Sequence, residues 1–269
     1  MPCVSALARA PRRALHTAPV RRTLWSFMDA GVYGYASRLS EPEPPALRRV
    51  RLAALAEAPA EAQKMVSPLQ GAFMASLVRA QRPRAVLELG CYIGYSALWL
   101  AHGLGHEGRA AGARLWTCER DPAAAQRAQE NISSAGLSGS VTVLAQSADS
   151  VLEGWDPAAK LDLVFIDANK SAYQRHYDLI LDRDILHDHG QIIVDNVLFH
   201  GKVHTQDQPS GPTAALDSPA RPASAAGTRQ SRIAAKLYEF NQHVASDPRT
   251  SQVILPVFDG LMLIQKLQA

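Results

Sequence analysis

The sequence predicts an α/β fold: a doubly wound, mostly parallel sheet with helices on both faces. Three observations predict it. Short apolar runs at 85–89, 115–118, 141–144, 161–166 and 191–194 alternate with helical patterns. Several of these runs end in Gly, Glu or Asp, residue types that place ligands beyond the carboxyl ends of parallel strands. The chain has 269 residues, 47% of them hydrophobic, enough for one large α/β domain.

The elements follow in order. Pro42, Pro44 and Pro45 break the chain ahead of the body. In 46–58, Leu47, Val50, Leu52 and Leu55 mark a helix. In 68–81, Leu69, Phe73 and Leu77 recur every four residues on one helical face, and Pro68 suits the first turn. The run 85–89 ends in glycine and leads into a helix from Ser96, whose hydroxyl is placed to cap it. Further helices are predicted over 122–135 and 173–181. Residues 205–230 are rich in Pro, Ser, Ala, Gly and Thr and predict a disordered surface insertion. A helix resumes over 232–244. Strands at 253–256 and 261–267 then close the fold around a turn at Asp259-Gly260.

Composition removes several function classes. No apolar run reaches the ~18 residues of a membrane span. Cys3, Cys91 and Cys118 have neither disulfide-framework nor metal-site spacing, so a reducing compartment is the default. The net charge of +3 is unevenly placed: Arg9, Arg12, Arg13, Arg21 and Arg22 lie in 1–28, which has no acid. Without those five, 23 of the 28 basic residues face 25 acids, so the body is mildly acidic and does not read as a nucleic-acid surface. An Arg-rich, hydroxyl-bearing, acid-free start predicts a mitochondrial targeting leader, or otherwise a disordered tail, over 1–40. Residues 41–269 then form a single domain carrying the insertion.

Chemistry concentrates at four strand ends. Glu88-Leu89-Gly90-Cys91-Tyr92-Ile93-Gly94-Tyr95-Ser96 follows the first strand, and Gly90 and Gly94 allow close backbone approach to a ligand. It lacks the G-x-G-x-x-G spacing of pyrophosphate binders, which argues against a nicotinamide oxidoreductase. Glu119, after the second strand, is a carboxylate placed to accept both hydroxyls of a ribose. Asp167-Ala168-Asn169-Lys170 and Asp195-Asn196 follow the fourth and fifth strands. Their oxygen donors suit a hard cation such as magnesium, while Asp and Asn are also ordinary turn residues. His102, His106, His176, His187, His189 and His204 show no ligand spacing and read as surface or loop residues. Trp25 and Trp99 read as packing.

Taken together, Glu-Leu-Gly-x-Tyr-x-Gly-Tyr-Ser, Phe-Ile-Asp-Ala-x-Lys, Asp-Asn-Val-Leu-x-x-Gly-Lys-Val and the closing turn 255–261 resemble the cation-dependent O-methyltransferases, which include caffeoyl-CoA and catechol O-methyltransferases. The resemblance runs from about Met65 to the C-terminus, apart from the insertion. It implies a Rossmann-like, seven-stranded sheet with an antiparallel C-terminal strand, and a homodimer. It implies methyl transfer from S-adenosyl-L-methionine to a hydroxylated, catechol-like or phenolic small molecule, assisted by a divalent cation, most simply Mg2+. By position, Val66, Glu88, Gly90, Cys91, Ser96, Glu119, Ala148, Asp167 and Asn169 fall at cofactor contacts, with Ala148 beside the adenine. Asp167, Asp195 and Asn196 match the metal ligands, and Asp167 and Lys170 the catalytic pair, Lys170 as general base. Asn169 departs from the acid common in the caffeoyl-CoA branch, and Phe199 from a frequent tryptophan. His200 falls where substrate can touch it. A catalytically silent cofactor-binding relative is the alternative reading.

Overall fold

The computed structural model describes residues 22–23, 26–206 and 228–268. A short antiparallel pair, β1 (Arg22–Thr23) and β2 (Ser26–Asp29), leads into α1 (Ala30–Leu39) and α2 (Pro45–Glu57). The body then runs α3 (Pro68–Gln81), β3 (Ala85–Leu89), α4 (Tyr95–Ala110), β4 (Arg114–Cys118), α5 (Pro122–Ser134), β5 (Val141–Leu144), α6 (Ala148–Gly154), β6 (Leu161–Ile166), α7 (Tyr173–Asp182) and β7 (Leu186–Val194). It closes with α8 (Arg229–Ser246), β8 (Thr250–Leu255) and β9 (Leu261–Lys266).

The main sheet has seven strands in the order β5-β4-β3-β6-β7-β9-β8. Strands β3 to β7 pair in parallel, and β9 is antiparallel to both neighbours. The chain winds from β3 outward through β4 to β5, then crosses back to β6. That reversal opens a crevice beyond the carboxyl ends of the central strands.

Both faces of the sheet are covered, which is why its strands read as continuous apolar runs. Alternate residues go to opposite layers. Val86, Leu115, Leu163 and Phe165 pack with Trp99, Leu98 and Met74 of α4 and α3. Leu87, Leu89, Val164 and Ile166 pack with Tyr173, Tyr177 and Phe240 of α7 and α8. Trp99 is fully buried, as its packing role requires, and a Cβ at Gly71 would sit 2.3 Å from its ring. Helix starts are locally encoded. Ser67 accepts from Gln70 N ahead of Pro68, and Asp121 accepts from Ala123 N and Ala124 N ahead of Pro122.

Several sequence expectations need correction. The segment 1–40 is not wholly a tail, because α1 occupies its last quarter, capped by Asp29 accepting from Gly31 N and Val32 N. Residues 1–21 and the core of the expected insertion, 207–227, lie outside the described residues. At the insertion's edges, His204–Gln206 form a 3-10 turn and α8 begins at Arg229, inside the range expected to be disordered. Ser96 does not cap α4; Gly94 does, at φ 83°, and Ser96 is buried in the first turn. His176 is not a surface residue, since it is only 1% exposed on the inner stripe of α7.

Candidate active site

The glycine loop after β3 is shaped by close contact. Gly90 adopts φ 88°, and a Cβ there would meet Asp167 O at 2.7 Å and Ala168 Cα at 2.8 Å. Only glycine lets the ends of β3 and β6 approach this closely. Glu88 lies below the loop with no exposed surface and accepts from the hydroxyls of Thr117 and Ser96, while its Oε1 has no partner. Burial pushes its carboxyl up to about 7. Burial likewise raises the thiols of Cys91, well above its ordinary value, and Cys118, to about 12. Both cysteines are free and neither is an activated nucleophile.

Glu119 is held rigidly at the end of β4. Its Oε2 accepts from Tyr92 N at 2.9 Å and its Oε1 from Asp121 N at 3.0 Å. A carboxylate has about four acceptor positions, so both oxygens keep capacity for a diol.

Four oxygen-bearing side chains meet beyond β6 and β7. Asp167 ends β6, Asp195 and Asn196 follow β7, and Asp259 comes from the turn between β8 and β9. Burial, and then the charge of Asp167, pushes Asp195 up to about 8. Burial also raises Asp167 and Asp259, and the Asp259 charge adds to the rise at Asp167, against the opposing charge of Lys170. The Lys170 ammonium is 3.3 Å from Asp167 Oδ1 and 5.8 Å from the Tyr173 ring centroid. Buried carboxylates crowded in this way favour a cation among them. Close by, the Tyr173 hydroxyl faces Asp167 and the Gln70 side-chain amide faces Asp195, both buried. Among the described residues no group of three or more His, Cys, Asp or Glu side chains is arranged as a metal centre. The set expected from sequence has only two carboxylates, its third member being the Asn196 amide. Two Asp and one Asn fit a cation that keeps several waters, as magnesium does.

Asp259 is the residue that the sequence reading passed over as a site member. Its Oδ2 accepts from Asn196 Nδ2 at 3.3 Å and its Oδ1 from His200 N. Leu198 N donates to Asp259 O at 3.1 Å and Val197 N to Gly260 O at 3.1 Å. The turn thus clamps residues 196–200, where Asn196, Phe199 and His200 all have positive φ. With its amide nitrogen committed to Asp259, Asn196 has its oxygen free for another partner. The sequence signal was present in the Asp-Gly turn, but nothing local indicated which strand end it would face.

One cleft of about 1080 Å³ joins these parts. Val66, Gly90, Cys91, Ser96, Glu119, Ala148, Asp167, Asn169, Lys170, Asp195 and Asn196 all line it, whereas Glu88 lies beneath it and Gly94 instead packs against Ala128 of α5. Asn169 also caps the 3-10 turn Lys170–Ala172, accepting from Ser171 N at 3.4 Å. Phe199 and His200 line the cleft beside Asp259, their rings 5.0 Å apart.

A family model described as O-methyltransferase matches residues 37–267. O-methyltransferase ankF of Aspergillus thermomutatus is 29% identical over 201 residues, 75% of this chain and 78% of that protein. A catechol O-methyltransferase of Niastella koreensis is 39% identical over 141 residues, covering 51% of this chain and 60% of that one. Among solved structures, the SAH-bound methyltransferase PaMTH1 of Podospora anserina superposes with a TM-score of 0.75 at 29% identity, covering 88% of this chain and 94% of that one.

Proposed function

Since this chain belongs to the O-methyltransferase family, we propose that it transfers a methyl group from S-adenosyl-L-methionine to an oxygen of a catechol-like or phenolic small molecule, with a divalent cation held by Asp167, Asp195 and Asn196. One observation carries the reading: the ribose-type carboxylate Glu119, the glycine loop and the oxygen-donor cluster all line a single cleft. SAH in the Podospora anserina structure supports the cofactor.

When bound, the cofactor supplies an electrophilic methyl group and the cation favours the ionised form of a substrate hydroxyl. This chain's residues do the rest. Glu119 fixes the nucleoside end, and the backbone at Gly90 admits the amino-acid end against the sheet. Asp167, Asp195 and Asn196, braced by Asp259, present a hard-oxygen surface to the cation. Lys170, beside Asp167, takes the hydroxyl proton. Phe199 and His200 confine the substrate ring. Holding both reactants aligned is worth ~7–11 kcal/mol of the barrier.

The experiment that tests the reading pairs Asp195→Ala with a chelator. Methyl transfer to catechols, hydroxycinnamoyl thioesters and flavonoids is followed with and without chelator, and cofactor affinity is measured by calorimetry. The variant is expected to bind the cofactor almost normally and to lose turnover by orders of magnitude. Full turnover in chelator would remove the cation from the mechanism.

Two further parts of the reading concern the N-terminal region. Residues 1–40 direct the protein to mitochondria, supported by the arginine-rich, acid-free 1–28. The chain pairs as a homodimer, supported by Val32, Tyr35 and Leu39, which α1 leaves 60%, 61% and 72% exposed.

A further inference from the structure

The connection from α1 to α2 reads Glu41-Pro42-Glu43-Pro44-Pro45, and each of its two carboxylates ties down more than one helix. Glu41 accepts from Arg79 of α3, and its Oε1 lies 2.7 Å from His102 Nε2 of α4. Glu43 accepts from Arg51 of α2 through Nε at 2.8 Å and through Nη2, and the Tyr95 hydroxyl of α4 donates to the same carboxylate. The Glu43 side chain is only 9% exposed, and Tyr95 is buried. The prolines keep the segment extended, as at Pro44 with φ −58° and ψ 143°. Tyr95 and His102 stand about two turns apart on α4, so the strap runs along one face of that helix.

The end of α4 that the strap holds is the end that meets the cleft. Tyr95 is the first residue of the helix and lines the cleft beside Ser96. Gly94 has no side chain to cap the helix, so the first amides of α4 are left for a ligand or water. Ser96 holds Glu88, whose Oε1 stays without a partner beneath the glycine loop. Free amides suit a carboxylate and the buried acid suits an ammonium group, the two charges of an amino-acid tail. Neither Glu43 nor Arg51 lines the cleft. Their contribution to that end passes through the Tyr95 hydroxyl.

We propose that Glu43, oriented by Arg51, is a positioning residue for the cofactor: through Tyr95 it fixes the first turn of α4 against the amino-acid end of S-adenosyl-L-methionine. This rests on the reading that the cleft holds that cofactor. It makes the α1–α2 connection, distant in sequence from the glycine loop, a determinant of cofactor affinity.

The test is calorimetric, on the full chain, with two probes: S-adenosylhomocysteine, and methylthioadenosine, which keeps the nucleoside and the sulfur and lacks the amino acid. Glu43→Gln and Tyr95→Phe each lose about tenfold in affinity for S-adenosylhomocysteine, as for one charge-assisted hydrogen bond, and bind methylthioadenosine nearly as the parent does. The double variant loses no more than the worse single one, because both changes break the same contact. A merely structural role lowers the unfolding temperature and leaves the ratio of the two affinities at its parent value. Tyr95→Phe, which keeps the buried ring, carries the test if Glu43→Gln, with Arg51 left unpaired, does not fold. An unchanged ratio in a folded variant would overturn the inference and leave the cofactor reading standing. A parent that binds neither compound would overturn the cofactor reading itself.

Discussion

At the scale of single residues, the site depends on charges placed at strand ends. Glu119 is already positioned by Tyr92 N and Asp121 N, so its loss removes contacts to the ligand without unfolding β4. Glu119→Ala is expected to weaken cofactor binding at least about tenfold, since each charge-assisted hydrogen bond is worth ~1.5–3 kcal/mol. Calorimetry with S-adenosylhomocysteine checks this, and equal affinities would mean that the ribose lies elsewhere. Lys170 sits on the other side of the same cleft, against Asp167. Lys170→Met should leave cofactor affinity intact and lower turnover by about 10²–10⁴ if it accepts the proton. A phenol with a pKa near 10 supplies its own oxyanion at high pH, so raising the pH should partly restore the variant. Proportional impairment at every pH would assign Lys170 to positioning alone.

At the scale of elements, the junction of β3 and β6 is the most tightly specified place. Gly90 is there because the backbone after Asp167 leaves no room for a side chain. Gly90→Ala combines an unfavourable positive φ with contacts under 3 Å to backbone atoms, which cannot swing aside. It is expected to cost ~1–3 kcal/mol or more of stability and to weaken cofactor binding, read from thermal unfolding and calorimetry on the same preparation. The same junction shows how much of the site could be read in advance. Glycine, aspartate and asparagine at strand ends are local signals, and they named the loop and the donor residues. The contribution of Asp259 was not legible, because β9 meets β7 only through long-range antiparallel pairing. His176 was passed over for a related reason. Its spacing from Tyr173 and Ile180 puts it on the buried stripe of α7, but a histidine on such a stripe gives no local sign of whether it faces solvent or a cleft.

At the scale of the whole molecule, the N-terminal region is the part least tied to the core. Among the residues of α1 none is buried, and its apolar side chains Val32, Tyr35 and Leu39 stay exposed. Deletion of residues 1–40 should therefore lower the unfolding temperature of the body only slightly. If a second copy covers α1, the same deletion, or Tyr35→Asp, should halve the mass measured by light scattering. An unchanged mass would place the partner surface elsewhere. A fluorescent fusion of residues 1–40 should enter mitochondria, and a uniform cytosolic signal would refute the targeting reading.

By itself the sequence determined the order of the sheet strands and of the helices α2 to α5, α7 and α8, though not α1 or α6, together with the doubly wound class and the side chains standing at the strand ends. Those properties come from local periodicity, turn chemistry and caps such as Ser67 and Asp121, which act over a few residues. Only the tertiary structure decided which strand ends face one another. It placed β3 between β4 and β6, brought Asp259 onto Asn196, buried His176 against α6, and put Gly94 in place of Ser96 at the start of α4. Such contacts join residues far apart in the chain, and the burial and crowded charge that set their chemistry exist only once the sheet is closed over by its helices.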